Sequence, residues 1–344
     1  MDNVFLIRDI IDIGKTKDLN VGLLSIDQQK AFDRVDHNYL FKTMGAFGFP
    51  TKFISWMETL YEGATVLLRV GGGLSRPVEV KRGIRQGCPL SGMLYVLAIE
   101  PLLRKLSRGL RGLRLEQASQ PLCLSAYADD ITVIISGQED VETVQQSLSL
   151  YERASSAQVN WSKSEAYLLG QWEHQVRPVL PGGLQWSIEG FKCLGVFLGS
   201  EQFRTKNWDG LVEKVSARLS RWAWVQPQLS YRGRALVANT LAASCLWHRF
   251  TILQPPDSVV ADIQKRLVDF FWGGYHWLKA AVLYLPVEEG GQGLVDISSR
   301  LAALRLWTAK RFLYGPNNCG QRRQLSCCSE WEDCVMISTC SSWT

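Results

Sequence analysis

The sequence lacks the features that membrane and secreted proteins need. No uninterrupted apolar run approaches the roughly 20 residues that cross a bilayer. The start MDNVFLIRDI also lacks both the basic region and the apolar region of a signal peptide. We therefore expect an intracellular protein with no membrane partner, in either the nucleus or the cytoplasm.

Histidine and paired cysteine are scarce, which argues against zinc. The chain has four histidines among 344 residues, and its nine cysteines form no C-x-x-C pair, the spacing from which structural zinc sites are usually built. Five cysteines crowd the C-terminal end: Cys319, Cys327, Cys328, Cys334 and Cys340. No histidine follows His276, so we expect residues 315–344 to form a disordered tail rather than a metal site.

Acidic residues are sparse in two segments that are rich in lysine and arginine. From Glu201 to Phe250 there are eight Lys or Arg and three Asp or Glu. From Lys81 to Arg114 there are eight Lys or Arg against Glu100 alone. Such segments indicate contact with a polyanion, although solvated helix faces would have the same composition.

The pattern of apolar residues predicts an α+β fold. A hydrophobic fraction of 46% with 21% charged residues is typical of a globular chain. The run VGLLSI, residues 21–26, has the length of a buried strand, and residues 122–135 are typical of a β-hairpin with Ala-Asp-Asp at its tip. Helical patterns separate the strands, which predicts an antiparallel sheet. Beyond Glu201 the pattern becomes helical as far as Trp272.

Two adjacent carboxylates, Asp129 and Asp130, lie inside the apolar sequence LSAYADDITVII. At a hairpin tip, such a pair is often only a solvated turn. Here the flanking strands are apolar, and two carboxylates near a core edge repel each other unless a cation or a proton lies between them. Asp27, directly after VGLLSI, supplies a third carboxylate. The three residues together predict a metal site.

Magnesium suits these ligands, because Mg²⁺ prefers hard oxygen atoms and no histidine is nearby in the sequence. Two divalent ions roughly 3.5–4 Å apart can activate a hydroxyl and stabilise the leaving oxygen of a phosphoryl transfer. Together with the basic segments, the carboxylates predict two Mg²⁺ ions, with Mn²⁺ as the alternative, and a nucleic-acid substrate.

Four segments, in this order, resemble the motifs of reverse transcriptases of non-LTR (LINE-type) retrotransposons. They are SIDQQKAFDRVDH, RGIRQGCPLSGMLY, AYADD, and NWSKSE followed by KCLGVFLG. AYADD and RQG are weak signals alone, whereas the ordered set is specific. The resemblance runs from Asp2 to about Tyr314. It implies a right-hand polymerase, with an antiparallel palm sheet followed by a helical thumb.

The resemblance also divides the chain. Residues 1–20 correspond to a remnant of the fingers, 21–200 to the palm, 201–272 to the thumb and 273–314 to a post-thumb segment. A complete enzyme of this kind carries an endonuclease and the rest of the fingers upstream, so we expect an incomplete polymerase.

Within the motifs, the resemblance assigns the chemistry to four residues. Asp27, Asp129 and Asp130 would hold the two metal ions. Lys163 would be the general acid that protonates or neutralises the leaving pyrophosphate. Without the resemblance, a lone lysine in a loop would be interpreted as an exposed charge.

The first two motifs would bind the incoming nucleotide through Phe32, Arg85, Gln86 and Gly87. The ring of Phe32, beside the sugar, would collide with a 2′-hydroxyl and so favour deoxynucleotides. Arg85 would contact phosphate, and Gln86-Gly87 would let the backbone approach a base or sugar closely, because glycine has no Cβ. The alternatives are a core phenylalanine and a surface arginine.

The last motif and the helical region would bind the primer. Cys193, Leu194 and Gly195 would form a primer grip on a tight turn, for which the alternative is an ordinary hairpin. Four thumb arginines would contact the nucleic-acid backbone: Arg218, Arg221, Arg232 and Arg234. A solvated helix face predicts the same arginines.

The resulting hypothesis is an RNA-directed DNA polymerase that uses an RNA template, a DNA primer and deoxynucleoside triphosphates. The alternative is a non-catalytic remnant that only binds nucleic acid. A structural module with no ligand has only the general α+β pattern in its favour.

Overall fold

A five-stranded sheet organises the N-terminal part of the protein. The computed structural model describes residues 2–115, 120–170, 172 and 176–314, so the expected tail, residues 315–344, lies outside the described residues. The chain forms two compact units. We call Leu6–Leu194 the N-terminal unit, and Gly195 onward, together with the first five residues, the C-terminal unit.

The helices and strands up to the end of the N-terminal unit have the following bounds: α1 Asp2–Thr16, β1 Val21–Ile26, α2 Ala31–Arg34, α3 His37–Ala46, α4 Thr51–Tyr61, β2 Thr65–Val66, β3 Arg69–Val70, β4 Gly73–Leu74, β5 Val78–Glu79, α5 Ser91–Gly109, β6 Leu124–Tyr127, β7 Asp130–Ile135, α6 Gln138–Ser155, β8 Glu165–Leu169, β9 Trp186–Ser187 and β10 Gly190–Cys193. Those of the C-terminal unit are β11 Val196–Gly199, α7 Glu201–Thr205, α8 Leu211–Ser220, α9 Tyr231–Leu236, α10 Trp247–Ile252, α11 Asp257–Trp272, α12 Ala280–Tyr284 and α13 Ile297–Tyr314.

The main sheet has the strand order β6-β7-β1-β8-β9. Neighbouring strands are antiparallel from β6 to β8, as the sequence predicts, whereas the short β9 adds to β8 in parallel. Gly22 in β1 makes room for the indole of Trp186, since a Cβ at that position would lie 2.6 Å from the ring. The α+β fold is confirmed, with one parallel edge strand.

The core of the N-terminal unit lies between this sheet and α3, α5 and α6. Leu24 and Ile26 of β1 are completely or almost completely buried and pack with Leu94 and Leu102 of α5 and Val144 of α6. Burial of each such side chain stabilises the fold by about 1.5–3 kcal/mol. The central strand β1 is therefore fixed along its whole length, up to the residue that precedes Asp27.

The C-terminal unit is helical and has a separate core. Leu211, Val215 and Leu219 recur every four residues along one face of α8 and are buried against Ile263 and Phe271 of α11. Among the described residues, no helix is both long and apolar enough to cross a membrane.

Candidate active site

The three predicted carboxylates lie at one end of two neighbouring strands. Asp27 directly follows β1, and Asp130 begins β7. The antiparallel pairing places Ile26 opposite Ile131, so Asp27 and Asp130 come next at the same sheet edge. Asp129 occupies the two-residue turn between β6 and β7.

That turn is held in an unusual backbone conformation. Ala128 has a φ of 53°, in the left-handed region that glycine normally occupies in tight hairpins. Backbone conformations of this kind are costly and are concentrated at functional sites. The neighbouring strand pair, in which Tyr127 faces Asp130, holds the turn and its carboxylate at the sheet edge.

The carboxylates influence one another electrostatically. Partial desolvation raises the pKa of Asp130 above its ordinary value, and the charges of Asp129 and Asp27 raise it further. None of the residues that the structure describes forms a hydrogen bond or ion pair with the three carboxylates. No three His, Cys, Asp or Glu side chains in this part of the chain converge closely enough to enclose a metal ion. The arrangement is an unneutralised acidic edge, which favours a cation.

The loop that carries Lys163 is fastened to Asp27. The backbone N–H of Asn160 donates to the carbonyl of Asp27 at 2.8 Å, and the backbone N–H of Asp27 donates to the hydroxyl of Ser164 at 3.1 Å. Lys163 itself is exposed. The structure therefore brings the predicted general acid into the same region as the carboxylates, with its ammonium group in solvent.

The predicted nucleotide-binding residues also meet. The backbone N–H of Ile84 donates to the carbonyl of Phe32 at 2.7 Å, and the amide of Gln86 donates to the carboxylate of Asp33 at 3.2 Å. Gly83 is needed here, because a Cβ at its position would lie 2.9 Å from the carbonyl oxygen of Asp33. The loop from residue 81 to 88 is thus tied to helix α2.

Arg85 and Gly87 are presented on the outside of this loop. The guanidinium of Arg85 lies 5.6 Å from the centroid of the Tyr61 ring, which leaves its outer edge accessible to an anion. Gly87 has a φ of 86°, and no atom lies within 4 Å of the position that its Cβ would occupy. A ligand can therefore approach the backbone of Gly87 closely.

The predicted primer grip lies at the end of the N-terminal unit, where the chain passes to the C-terminal unit between Leu194 and Gly195. Both residues have positive φ, 47° and 83°, so the chain turns sharply after β10. Burial raises the pKa of the Cys193 thiol to about 11; the Thr132 hydroxyl lowers this pKa and the charge of Asp130 raises it. Cys193 is therefore within electrostatic range of the acidic edge.

The four predicted arginines of the C-terminal unit differ in their contacts. Arg234 donates to the carbonyls of Phe271 and Trp272 at 3.1 and 3.2 Å, where a cation stabilises the C-terminus of α11. Arg218 donates to the carbonyl of Leu241 at 2.9 Å. In contrast, two are exposed, and their guanidinium groups have no hydrogen-bond partner among the described residues: Arg221 and Arg232.

Three contacts of the site were not predicted from the sequence. Ser164 binds the backbone of Asp27, Asp33 binds Gln86, and Tyr95 stacks on Phe32. Each joins residues that lie far apart in the chain. Only the proximity of Asp33 to Phe32 within the quoted motif SIDQQKAFDRVDH could have suggested one of them.

Comparison with known proteins identifies the family. The family described as "Reverse transcriptase (RNA-dependent DNA polymerase)" matches residues 2–198, more than half of the chain. The chain belongs to the reverse transcriptase family. The resemblance noted in the sequence is confirmed, and all the carboxylates of the acidic edge lie inside the matched range.

Two relatives of this reverse transcriptase come from transposable elements. The "Transposon TX1 uncharacterized 149 kDa protein" of Xenopus laevis is 44% identical over 91% of this chain and 24% of its own length. A "Retrovirus-related Pol polyprotein from type-1 retrotransposable element R2" of Popillia japonica is 25% identical over 88% of this chain and 51% of its own length. The chain thus spans about a quarter of the first relative and about half of the second.

A solved structure shares the fold of this reverse transcriptase. The "Structure of telomerase from Candida albicans in complexe with TWJ fragment of telomeric RNA" superposes with a TM-score of 0.51 and 12% identity, over 97% of this chain and 52% of that one. This similarity supports the right-hand polymerase fold, a mixed fold of helices and sheet.

Proposed function

We propose that the chain is an RNA-directed DNA polymerase domain that extends the 3′-hydroxyl of a DNA primer with deoxynucleoside triphosphates on an RNA template. The observation that carries this proposal is the acidic edge. Three carboxylates lie there at one end of two paired strands, and none of them accepts a hydrogen bond from a described residue. Family membership supports the reaction, and the acidic edge supports its proposed location. The substrates of such a reaction are intracellular.

By the chemistry of their donor atoms, Asp27, Asp129 and Asp130 would suit two Mg²⁺ ions, with Mn²⁺ as the alternative, once a bound cation brings their side chains closer together than they lie in the described structure. They offer only oxygen ligands. Partial desolvation, and then the charges of Asp129 and Asp27, raise the pKa of Asp130, and a bound cation would lower it again. When bound, the ions would lower the pKa of the primer hydroxyl and neutralise charge on the transferring phosphate.

The remaining residues surround this edge. Phe32 would lie beside the nucleotide sugar, and Arg85 and the Gln86-Gly87 backbone would hold the phosphates and base. Lys163 would donate a proton to the leaving pyrophosphate. The turn from Cys193 to Gly195 would support the primer, since the charge of Asp130 acts on the Cys193 thiol at the start of this turn.

We further propose that residues 1–20 belong to the fingers, 21–200 to the palm, 201–272 to the thumb and 273–314 to a post-thumb segment. Of the thumb arginines, Arg221 and Arg232 have the exposure needed to contact phosphates of the nucleic acid. Arg218 and Arg234 would act mainly within the unit, through the carbonyls that they bind.

Primer extension tests the proposal. A DNA primer annealed to an RNA template should be extended in the presence of Mg²⁺, and Asp129→Ala should abolish extension. Glu142→Ala is the matched control, because Glu142 is an exposed carboxylate on α6 away from the acidic edge. Extension that survives in Asp129→Ala at the control level would refute the assignment of the site.

A non-catalytic nucleic-acid-binding protein is the second candidate, favoured by the exposed guanidinium groups of Arg221 and Arg232. It predicts no extension by the unaltered chain. It also predicts salt-dependent binding of RNA or DNA that Asp129→Ala leaves unchanged and that Arg221→Ala weakens. A filter-binding or anisotropy titration at two salt concentrations distinguishes the two candidates.

A further inference from the structure

Phe32 rests on another aromatic ring. The centroids of Phe32 and Tyr95 lie 4.3 Å apart, and the ring planes differ by 24°, which is a stacked arrangement that contributes about 0.5–1.5 kcal/mol beyond burial. Phe32 is only half-buried, whereas Tyr95 is completely buried. One face of the Phe32 ring is therefore covered by Tyr95, and part of the ring remains accessible.

The backbone beneath Phe32 does not fix the ring by itself. Helix α2 has four residues, too few for a helix to be stable without tertiary contacts. It is entered through Lys30, which has a left-handed φ of 49°. The position of the Phe32 ring therefore depends on what packs against it.

Tyr95, in contrast, is rigidly placed. It lies in the 19-residue helix α5, whose buried face includes Leu94, Ala98 and Leu102. Its hydroxyl has no hydrogen-bond partner among the described residues. Burial raises the pKa of this hydroxyl, and the charges of Tyr151, Asp129 and Asp130 raise it further. The ring of Tyr95 thus lies between the core and Phe32, within electrostatic range of the carboxylates.

We infer that Tyr95 is a positioning residue for nucleotide selection: its ring supports Phe32 from behind and sets how far the Phe32 ring extends toward the sugar. This inference rests on the proposed role of Phe32 beside the nucleotide sugar. A smaller or flexible side chain at residue 95 lets the Phe32 ring recede. The receding ring makes space for a 2′-hydroxyl, and discrimination against ribonucleotides falls.

The test compares kcat/KM for a deoxynucleotide and for the matching ribonucleotide in single-nucleotide extension. The ratio of the two kcat/KM values is the readout. Loss of folded protein lowers both values by the same factor and so leaves their ratio unchanged. A purely structural role for Tyr95 would therefore leave the ratio unchanged. The variants are Phe32→Ala, Tyr95→Leu, Tyr95→Phe and the combination of the first two.

We expect Phe32→Ala to lower the deoxynucleotide preference at least about 100-fold and Tyr95→Leu at least about tenfold, whereas Tyr95→Phe, which keeps the stacked ring, should stay within about twofold. In the Phe32→Ala background, Tyr95→Leu should have no further effect. Tyr95→Met replaces Tyr95→Leu if the leucine variant does not fold.

Tyr167→Leu is the control for loss of a core tyrosine. Tyr167 is also buried in the N-terminal unit, but its ring neighbour is Phe191 at 6.0 Å rather than Phe32, so the preference should not change. If Phe32→Ala relaxes selection and Tyr95→Leu does not, the inference is wrong while the role of Phe32 stands. If Phe32→Ala has no effect either, the proposed role of Phe32 fails and the inference fails with it. Absence of extension by the unaltered chain overturns the proposed function and the inference together.

Discussion

The two ends of strand β7 carry the same kind of side chain in opposite situations. Beyond its C-terminal end, Asp140 is 1% exposed and accepts hydrogen bonds from the backbone of Arg111 and from the backbone and hydroxyl of Ser136, at 2.7–2.8 Å. At its N-terminal end, Asp130 has two carboxylate neighbours and no donor among the described residues. A carboxylate saturated with donors stabilises the fold, whereas one without donors is available to a ligand.

The largest expected effect is on catalysis at the unsatisfied end. Asp27→Asn preserves the shape of the side chain and removes its charge, so primer extension should fall by at least about 10³-fold, equivalent to about 4 kcal/mol of barrier. The midpoint of urea unfolding should stay close to that of the unaltered protein. Glu142→Gln, on the exposed side of α6, should keep full activity. A twofold loss in Asp27→Asn would contradict the comparison.

The next effect is on stability at the satisfied end. Asp140→Ala leaves the backbone N–H groups of Arg111 and Ser136 without the acceptor that the buried Asp140 provides, which should lower the free energy of unfolding by about 1–3 kcal/mol. Asp129→Ala, which breaks no hydrogen bond, should change it by less than about 0.5 kcal/mol. Urea titrations followed by tryptophan fluorescence measure both values. Equal losses in the two variants would show that the ends of β7 do not differ in this way.

Local patterns explain how much of the molecule could be predicted. Neighbouring residues are enough to predict the strand VGLLSI and the hairpin that contains Asp130. They also predict the cap of α3 by Asp36, whose carboxylate accepts from the backbone N–H of Tyr39 at 2.9 Å. The parallel pairing of β9 does not, because two residues carry no distinctive pattern.

Contacts between distant residues could not be predicted either, because such contacts also leave no distinctive pattern among neighbouring residues. An arginine on a solvated helix face and one that binds the last carbonyls of another helix look alike in sequence, so Arg234 could not be separated from Arg232. The stacking of Tyr95 on Phe32 joins α5 to α2, and neither residue's neighbours indicate it. The Asp-Asp pair was recognisable because its apolar flanks are unusual for a turn.

A smaller effect concerns metal binding without turnover. A cation held by the acidic edge binds only the folded protein, so it should raise the free energy of unfolding by about 1.4 kcal/mol at a tenfold excess of Mg²⁺ over its Kd. Asp27→Asn should lose most of this stabilisation, and Glu142→Gln should retain it. Thermal unfolding at several Mg²⁺ concentrations measures the effect, with Na⁺ of matched ionic strength as the control for screening. An equal response to both salts would argue against a specific site.

The smallest effect is the pH dependence of the repulsion itself. Partial desolvation, and then the charges of Asp129 and Asp27, raise the pKa of Asp130 above its ordinary value of 3.8. Asp130 therefore binds a proton more tightly in the folded protein than in the unfolded chain. Protonation of Asp130 adds to the free energy of unfolding at low pH, and this contribution is lost as the pH rises through the pKa of Asp130 in the folded protein. Asp130→Asn, with no charge to repel, should unfold at a slightly higher urea concentration than the unaltered protein at about pH 7 in EDTA, and the difference should vanish at about pH 3.5. A variant that is less stable at pH 7 would mean that solvent already screens the three carboxylates. In that case their need for a cation, and the Mg²⁺ stabilisation expected above, would be small as well.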